Sequence, residues 1–192
     1  MAAAAAQPTL FLLGRWRGVG RLLSVTEQGS TVLHYLEEMS MERQGKAQAY
    51  WYHRQTWKFD PADPERKKLA PLHVESGVFK VLGGAGAETR VEAMFTHPFS
   101  LAEIAEGTYA GFAPDGSPAP GAVLELVAAA AEGEPGQILR GPAAQGKETR
   151  RYERRYELVE LGKLRYVCKL QSERMPEPWD HLICDMERAE DA

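Results

Sequence analysis

The sequence predicts an all-β protein, folded as an up-and-down antiparallel β-barrel of about ten strands. About ten short segments are rich in β-favouring residues or alternate apolar with polar side chains, and turn-forming residues join most of them. The strand–helix alternation of parallel sheets is missing from the sequence. Sequential antiparallel strands most often remove their exposed edges by closing into a barrel, and a barrel near this size has room for one small ligand.

The N-terminal half contains five of these strands. Segment 31–43 alternates Leu33 and Tyr35 with polar neighbours, and the alternation breaks at Leu36 and Glu37 before it resumes. The other four segments are the glycine-rich stretch 14–20 and the β-favouring stretches 49–59, 72–82 and 89–99. A loop with three prolines separates the third strand from the fourth, and paired glycines indicate a hairpin before the fifth.

The C-terminal half supplies the other five strands. They are predicted at 102–112, 122–132, 147–160, 163–171 and 180–188. Gly162 makes the tight turn between segments 147–160 and 163–171. The alanine-rich segment 122–132 is compatible with a helix or a strand, and we favour a strand because glycine and proline loops flank it closely.

Length and charge limit the domain organisation and the partners. The 192 residues fit one domain, which we place at 9–188, with a disordered tail at 1–8 and a short tail at 189–192. A net charge of −4 argues against a nucleic-acid-binding surface. Arginines and glutamates interleave in 148–157, which is more typical of a solvated strand face than of a phosphate-binding patch.

The sequence favours a cytoplasmic protein, with the nucleus as a second location. Its alanine-rich start lacks a basic region, and the apolar run 10–13 is too short for a signal peptide or a membrane span. The two cysteines, Cys168 and Cys184, lie in apolar strand patterns and lack zinc-site spacing. We therefore expect two buried free thiols rather than a disulfide.

The glycine-rich segment 14–20, GRWRGVG, is typical of a strand bent across the end of a barrel. Gly14, Gly18 and Gly20 remove side chains where neighbouring strands crowd together. We expect Trp16 to plug that end. A G-x-W sequence near the first strand also occurs in lipocalins, so the barrel is predicted to be calycin-like, of the lipocalin and fatty-acid-binding type.

In combination with four further motifs, this segment resembles the nitrobindin family, small haem-binding β-barrels that also form the C-terminal domain of larger THAP-type zinc-finger proteins. The four motifs are YLEE at 35–38, LHVESG at 72–77, HPFSLAEIAEG at 97–107 and DHL at 180–182. They lie in family order over residues 10–188.

The resemblance implies a cofactor and an activity. Family members bind b-type haem (heme b) at the barrel mouth through a histidine of the last strand, and His181 occupies that position, as axial ligand of the iron. Ferric haem would convert peroxynitrite to nitrate and bind nitric oxide. A homodimer is a further expectation from the family. The alternative for His181 is a core histidine without a ligand.

Three more positions are assigned by the resemblance. Thr26 corresponds to a haem-contacting threonine, although extra residues after it make Thr31 an alternative. Lys147 would pair with a haem propionate, the alternative being a solvated surface lysine. His73 is expected to line the cavity in a non-axial role, either as a polar group of the pocket or bonded to Glu75 or a backbone carbonyl.

Other interpretations remain open at this point. His34, His53 and His97 are expected to serve structure or surface. The barrel could instead bind an apolar ligand such as a fatty acid without haem, with Met39, Met41, Met94 and Phe95 lining its cavity. A third possibility is an interaction module whose ligand site has decayed.

Overall fold

The structure, a computed structural model, describes residues 8–26, 29–45, 48–83, 88–144 and 149–189, except for the side chains of Val25 and Thr26. Eleven β-strands and one 3-10 turn form within these ranges. The strands are β1 (Gly14–Thr26), β2 (Gly29–Arg43), β3 (Ala49–Lys58), β4 (Pro71–Gly83), β5 (Glu88–His97), β6 (Leu101–Ala110), β7 (Val123–Ala129), β8 (Gln137–Arg140), β9 (Thr149–Glu160), β10 (Lys163–Ser172) and β11 (Trp179–Arg188). The 3-10 turn covers Pro142–Ala144.

The strands form one closed antiparallel sheet. The strands from β1 to β7 pair in sequence order, and β7 pairs with β9. The strands β9, β10 and β11 then pair in order, and β11 closes the barrel by pairing with β1. The short strand β8 pairs with residues 101–104 of β6, whereas β7 pairs with residues 106–110 of the same strand. β7 and β8 therefore share one position, and the barrel has ten positions around its circumference. This confirms the predicted barrel of about ten strands.

Two details of the strand prediction are settled by the structure. The alanine-rich segment is a strand, β7, as favoured. The short strand β8 was missed, because only four residues pair and they follow a loop rich in glycine and glutamate. Within the described ranges, none of the helical segments is long and apolar enough to cross a membrane.

Alternation along the strands separates the interior from the surface. On β2, Tyr35, Glu37, Met39 and Met41 are all buried, at 1%, 1%, 2% and 1% exposure. The alternation of buried and outward-facing positions therefore continues through Glu37. The sequence pattern breaks there only because the inward-facing residue is charged. The barrel interior accepts a carboxylate at this position.

Trp16 closes one end of the barrel, as expected. Its indole is fully buried, and its Nε1 donates a hydrogen bond to the Leu12 carbonyl at 2.9 Å. The apolar residues Leu10 and Phe11 are also buried beside it. The Arg188 guanidinium lies 4.6 Å from the indole centroid, a cation–π contact. The chain before β1 thus completes the plug.

The glycines of the first strand are explained by close approach. A Cβ at Gly20 would overlap the Tyr35 ring, and one at Gly18 would overlap the Asp185 carbonyl oxygen. Both contacts lie on β1, where it packs between β2 and β11. The glycines of this motif therefore allow β1 to pack closely against both of its neighbouring strands.

Candidate functional site

A cavity of about 380 Å³ lies inside the barrel, toward the end opposite Trp16. The register shows this separation, since Trp16 pairs with Arg188 while Leu22, in the cavity wall, pairs with Leu182. Half-buried apolar side chains form part of the wall, namely Leu22, Leu72, Phe99, Leu170 and Leu182. Three fully buried charged side chains, Arg54, Glu75 and Arg154, are among the other lining residues. The cavity is suited to a ligand with a broad apolar body and a specific polar contact.

His181 is brought into this cavity by a β-bulge. Between β10 and β11, Cys168 pairs with Leu182 and Lys169 pairs with Asp180, so that His181 is the extra residue on β11. Strict alternation would direct neighbouring residues to opposite faces of the sheet. Because a bulge shifts this alternation by one residue, His181 and Leu182 both line the cavity.

The ring of His181 is oriented by the backbone of the neighbouring strand. Its Nδ1 lies 3.0 Å from the Leu23 carbonyl oxygen, which can only accept, so Nδ1 carries the proton. Burial lowers the pKa of His181, although the same hydrogen bond opposes this shift. The imidazole is therefore neutral at neutral pH, with Nε2 unprotonated and free to bind a metal.

These residues fit a haem. Haem iron takes a neutral imidazole, and a hydrogen bond from the other ring nitrogen to a carbonyl fixes its tautomer. The half-buried leucines around His181 provide the apolar surface that a porphyrin face requires. Cys168, also in the wall, is a poorer ligand, since burial raises its pKa to about 11 and keeps it a thiol.

His73 lies in the cavity wall on β4, where the resemblance placed it. A second bulge precedes it, because Thr56 pairs with His73 while Trp57 pairs with Pro71, which leaves Leu72 as an extra residue. Two partners were considered for His73, and among the described residues neither Glu75 nor a backbone carbonyl forms a hydrogen bond with its ring. Its Nε2 instead lies 3.3 Å from Nδ1 of His97.

His97, expected to serve structure or surface, is a buried residue of the cavity wall. It ends β5, is only 9% exposed, and lines the same cavity. Its Nε2 lies 2.6 Å from Oε1 of Glu103, and its ring stacks on Phe99 and Tyr152 at 5.3 and 6.0 Å between centroids. His34 and His53, by contrast, are exposed, as expected.

Two buried arginines organise the charged part of the interior. Arg154 on β9 bonds Glu75 at 2.9 Å and contacts Glu103 through both of its terminal nitrogens. Arg54 on β3 pairs with Glu37 at 2.9 Å. All five side chains are at most 3% exposed. Arg154 lies in the segment 148–157, so the interpretation of that segment as a solvated strand face is wrong for this residue.

The electrostatic balance of this group determines its protonation. Burial opposes ionisation of Glu75, but the guanidiniums of Arg154 and Arg54 overcome it and lower the pKa of this carboxyl to about 2. Burial raises the pKa of Glu37, against the effect of Arg54. Burial lowers the pKa of His73 to about 4, against the charge of Glu75. At neutral pH the interior thus holds ionised Glu75 beside neutral His73.

These buried charged residues were not predicted to lie in the interior. A signal was present, because Glu37, Arg54 and Glu75 each occupy the inward phase of an alternating strand, between buried Tyr35 and Met39 in the case of Glu37. Charged residues at such positions are almost never fully buried unless they are paired. The pairing itself could not be read from one strand.

Other predicted contacts have different outcomes. Lys147 and the side chain of Thr26 lie outside the described part of the structure. Thr31, the alternative to Thr26, is exposed and pairs with Ser24 across β1 and β2. Cys168 and Cys184 are free and buried, as expected.

The methionines proposed for an apolar-ligand cavity do not form one. Met39, Met41 and Phe95 pack in the hydrophobic core, and the cavity wall consists of other residues. Met94 is 49% exposed on the outer face of β5. The expectation that these residues line the cavity was therefore wrong. On β5 it is Ala93 and Phe95 that face inward, so Met94 faces outward.

Acidification is expected to destabilise the barrel. The pKa of His73 is about 4 in the folded chain and about 6.5 in an unfolded one. The unfolded state therefore binds more protons between these values, and stability is lost as pH falls through them, by about 1–2 kcal/mol from His73 after allowance for its partial exposure. The share of Glu75 is lost at still lower pH. Urea unfolding of the wild type and of His73→Gln between pH 7 and pH 4.5 measures this, and parallel pH dependences in the two proteins would contradict it.

The fold and the site together define the class of this protein. A closed antiparallel barrel with a histidine-bearing cavity near one end is a calycin-like, ligand-binding β-barrel. The chain belongs to the family of THAP4-like, heme-binding beta-barrel domains, whose family model matches residues 5–188. This confirms the family inferred from the sequence motifs.

Several relatives carry the name peroxynitrite isomerase. The protein from Parafrankia sp. is 29% identical over 178 residues, which cover 88% of this chain and 73% of the relative. The protein from Frankia alni is 28% identical over 158 residues, 82% of this chain and 93% of the relative. The match to the protein from Frankia casuarinae, at 36% identity over 104 residues, covers about half of each chain, 54% and 53%.

A solved structure shares the same architecture. The crystal structure of Rv2717c from M. tuberculosis superposes with a TM-score of 0.71 and 27% sequence identity. The superposition covers 94% of this chain and 94% of that one. The likeness therefore extends over nearly the whole chain.

Proposed function

We propose that this protein binds b-type haem through Nε2 of His181 and isomerises peroxynitrite to nitrate. Nitric oxide is a second small-molecule ligand in this proposal. The observation that carries it is the hydrogen bond between Nδ1 of His181 and the Leu23 carbonyl, which leaves Nε2 as an unprotonated ligand in the cavity of a haem-binding family. The activity rests on the names of the relatives.

When bound, ferric haem would supply a Lewis-acidic iron for the rearrangement of peroxynitrite. The residues of the chain would hold the haem and orient it. His181 would hold the haem iron through Nε2. Leu22, Leu170 and Leu182 would exclude water from the porphyrin face. We also propose Thr26 as a haem contact and Lys147 as a propionate partner.

His73 has a supporting role in this proposal. It is neutral at neutral pH, since burial lowers its pKa to about 4. A neutral imidazole in the cavity wall can donate a hydrogen bond to an anion and still release it. A fully charged group in a dry pocket would hold the anion more tightly. No general acid or base in the chain is required by the reaction, because peroxynitrite and nitrate have the same atoms and charge.

The location and assembly of the protein are part of the proposal. Two buried free thiols, Cys168 and Cys184, are typical of a reducing compartment, which supports the cytoplasm. A homodimer is proposed from the family, and its partners are small molecules rather than nucleic acid or membranes.

The experiment is a hemin titration of the purified full-length chain, followed by stopped-flow decay of peroxynitrite. We expect a saturable Soret band at one equivalent, faster peroxynitrite decay than with the haem-free chain, and nitrate as the main product. A chain that shows no Soret shift refutes haem binding, and displacement of a fluorescent fatty acid would then support the apolar-ligand alternative. Haem binding without faster decay refutes the isomerase activity alone.

A further inference from the structure

His73, Glu75 and His97 bring three metal-binding groups together inside the barrel. One ligand atom from each side chain lies within 4.8 Å of the other two. Nδ1 of His97 is 3.3 Å from Nε2 of His73 and 3.6 Å from Oε2 of Glu75. A tetrahedral metal with bonds of 2.0–2.2 Å requires its ligand atoms to be about 3.3–3.6 Å apart. Two of the three separations already meet this requirement.

We propose that His73, Glu75 and His97 form a binding site for a divalent transition-metal ion of the zinc class, separate from the haem ligand His181. Two imidazoles and one carboxylate are a common ligand set for a tetrahedral ion with an open fourth position. All three residues line the cavity or lie in its wall, so the fourth position is accessible to a small ligand there. The site does not depend on the proposed peroxynitrite chemistry.

An unpartnered carboxylate oxygen supports the site independently. Glu75 is 2% exposed, and its Oε1 has no hydrogen-bond partner among the described residues. Its other oxygen, Oε2, accepts from Arg154 at 2.9 Å. A buried carboxylate oxygen without a partner is costly, and a metal ion held by both oxygens of Glu75 would satisfy Oε1 while Oε2 still accepts from Arg154.

Glu103 completes the arrangement as an orienting residue. Its Oε1 is 2.6 Å from Nε2 of His97, and a carboxylate at this place accepts the proton of that nitrogen. In the neutral ring that a metal binds, Nδ1 of His97 is then the nitrogen without a proton, and it faces His73 and Glu75. A carboxylate behind a ligating histidine is the usual second-shell arrangement of zinc sites.

The charges of the cluster also favour a cation. Glu75 and Glu103 carry two negative charges, and Arg154, which contacts both, carries one positive charge. Arg54 is paired with Glu37, so this pair adds no net formal charge to the cluster. By formal charge, the two carboxylates therefore exceed Arg154 by one negative charge. A divalent ion compensates this charge in a place where water cannot.

The test is a metal titration of the haem-free full-length chain after removal of metals with a chelator. Zn²⁺ affinity is measured against a chromophoric chelator, and Co²⁺ is added to record the visible bands of a tetrahedral site. We expect one equivalent of either ion to bind. Glu75→Gln and His97→Gln are each expected to weaken binding by more than about 100-fold, and Glu103→Gln by about 10–100-fold, as for second-shell residues.

Matched controls separate this site from the rest of the chain. His53 is exposed on β3, so His53→Gln is expected to keep full affinity. His181→Ala is also expected to keep it, which distinguishes failure of this proposal from failure of haem binding. Nitrogen-15 NMR of the wild-type imidazoles provides a readout without substitution: Zn²⁺ is expected to shift the resonances of His73 and His97. Absence of stoichiometric binding, or shifts confined to His181 or His53, would overturn the proposal.

Discussion

The His181→Ala variant is expected to lose haem affinity by more than about 100-fold while it keeps its fold, because even second-shell residues of metal sites contribute 10–100-fold. The substitution removes Nε2, the nitrogen proposed to bind the iron, and the hydrogen bond to Leu23. His181 is only half-buried at the end of the barrel that contains the cavity, so the core is left intact. Hemin titration followed by the Soret band measures the loss.

Two companion variants sharpen this result. His34 is an exposed histidine on β2, and His34→Ala is expected to bind hemin like the wild type. His181→Gly leaves a space beside Leu23, and added imidazole is expected to restore the Soret band by occupying it. Unchanged affinity in His181→Ala would show that another residue binds the iron, with His73 the next candidate.

Arg154→Met is expected to destabilise the barrel by about 3–5 kcal/mol, the range for removing one partner of a buried ion pair. Arg154 is 3% exposed and is the shared cation of Glu75 and Glu103. Without it, Glu75 and Glu103 would remain buried and lose the guanidinium that pairs with both of them. Urea unfolding at pH 7, followed by tryptophan fluorescence, measures the change in free energy of unfolding.

The neighbouring residue offers a matched control. Arg155 faces outward with its side chain 45% exposed, and it pairs with Glu125 and Glu157 at the surface. Arg155→Ala is therefore expected to change stability by less than about 1 kcal/mol, as for exposed ion pairs. Adding Glu75→Gln and Glu103→Gln to Arg154→Met is expected to restore part of the stability, because the uncompensated charges are removed. Equal losses in Arg154→Met and Arg155→Ala would refute the buried cluster.

Much of the fold could be predicted from local patterns. Tyr35, Met39 and Met41 alternate with polar residues on β2, and Trp16 lies two residues after Gly14 in the glycine-rich start of β1. Such patterns report which face of a strand is buried, because side chains alternate strictly along it. They are insensitive to short elements such as β8, where four residues pair at the edge of a loop.

The candidate site was predicted only in part, and for a different reason. His181 and His73 were assigned by resemblance to a family, since a histidine among apolar residues is also typical of an ordinary core. His97 was expected to serve structure or surface, and its place in the cavity wall beside His73 was not predicted. Each of these side chains belongs to a different strand. Their proximity is therefore a property of the closed sheet and is invisible within any one segment.

The sequence by itself determined the all-β class, the approximate number of strands, the plug at Trp16 and the family. Each of these depends on residues close together along the chain or on short motifs. Only the tertiary structure decided which inward charges meet, since Arg154 is 51 residues from Glu103 and 79 from Glu75. It also decided that His181 faces inward together with Leu182, because the bulge exists only in the pairing of β11 with β10. Alternation is a local property of a strand, whereas register and charge pairing depend on its neighbours.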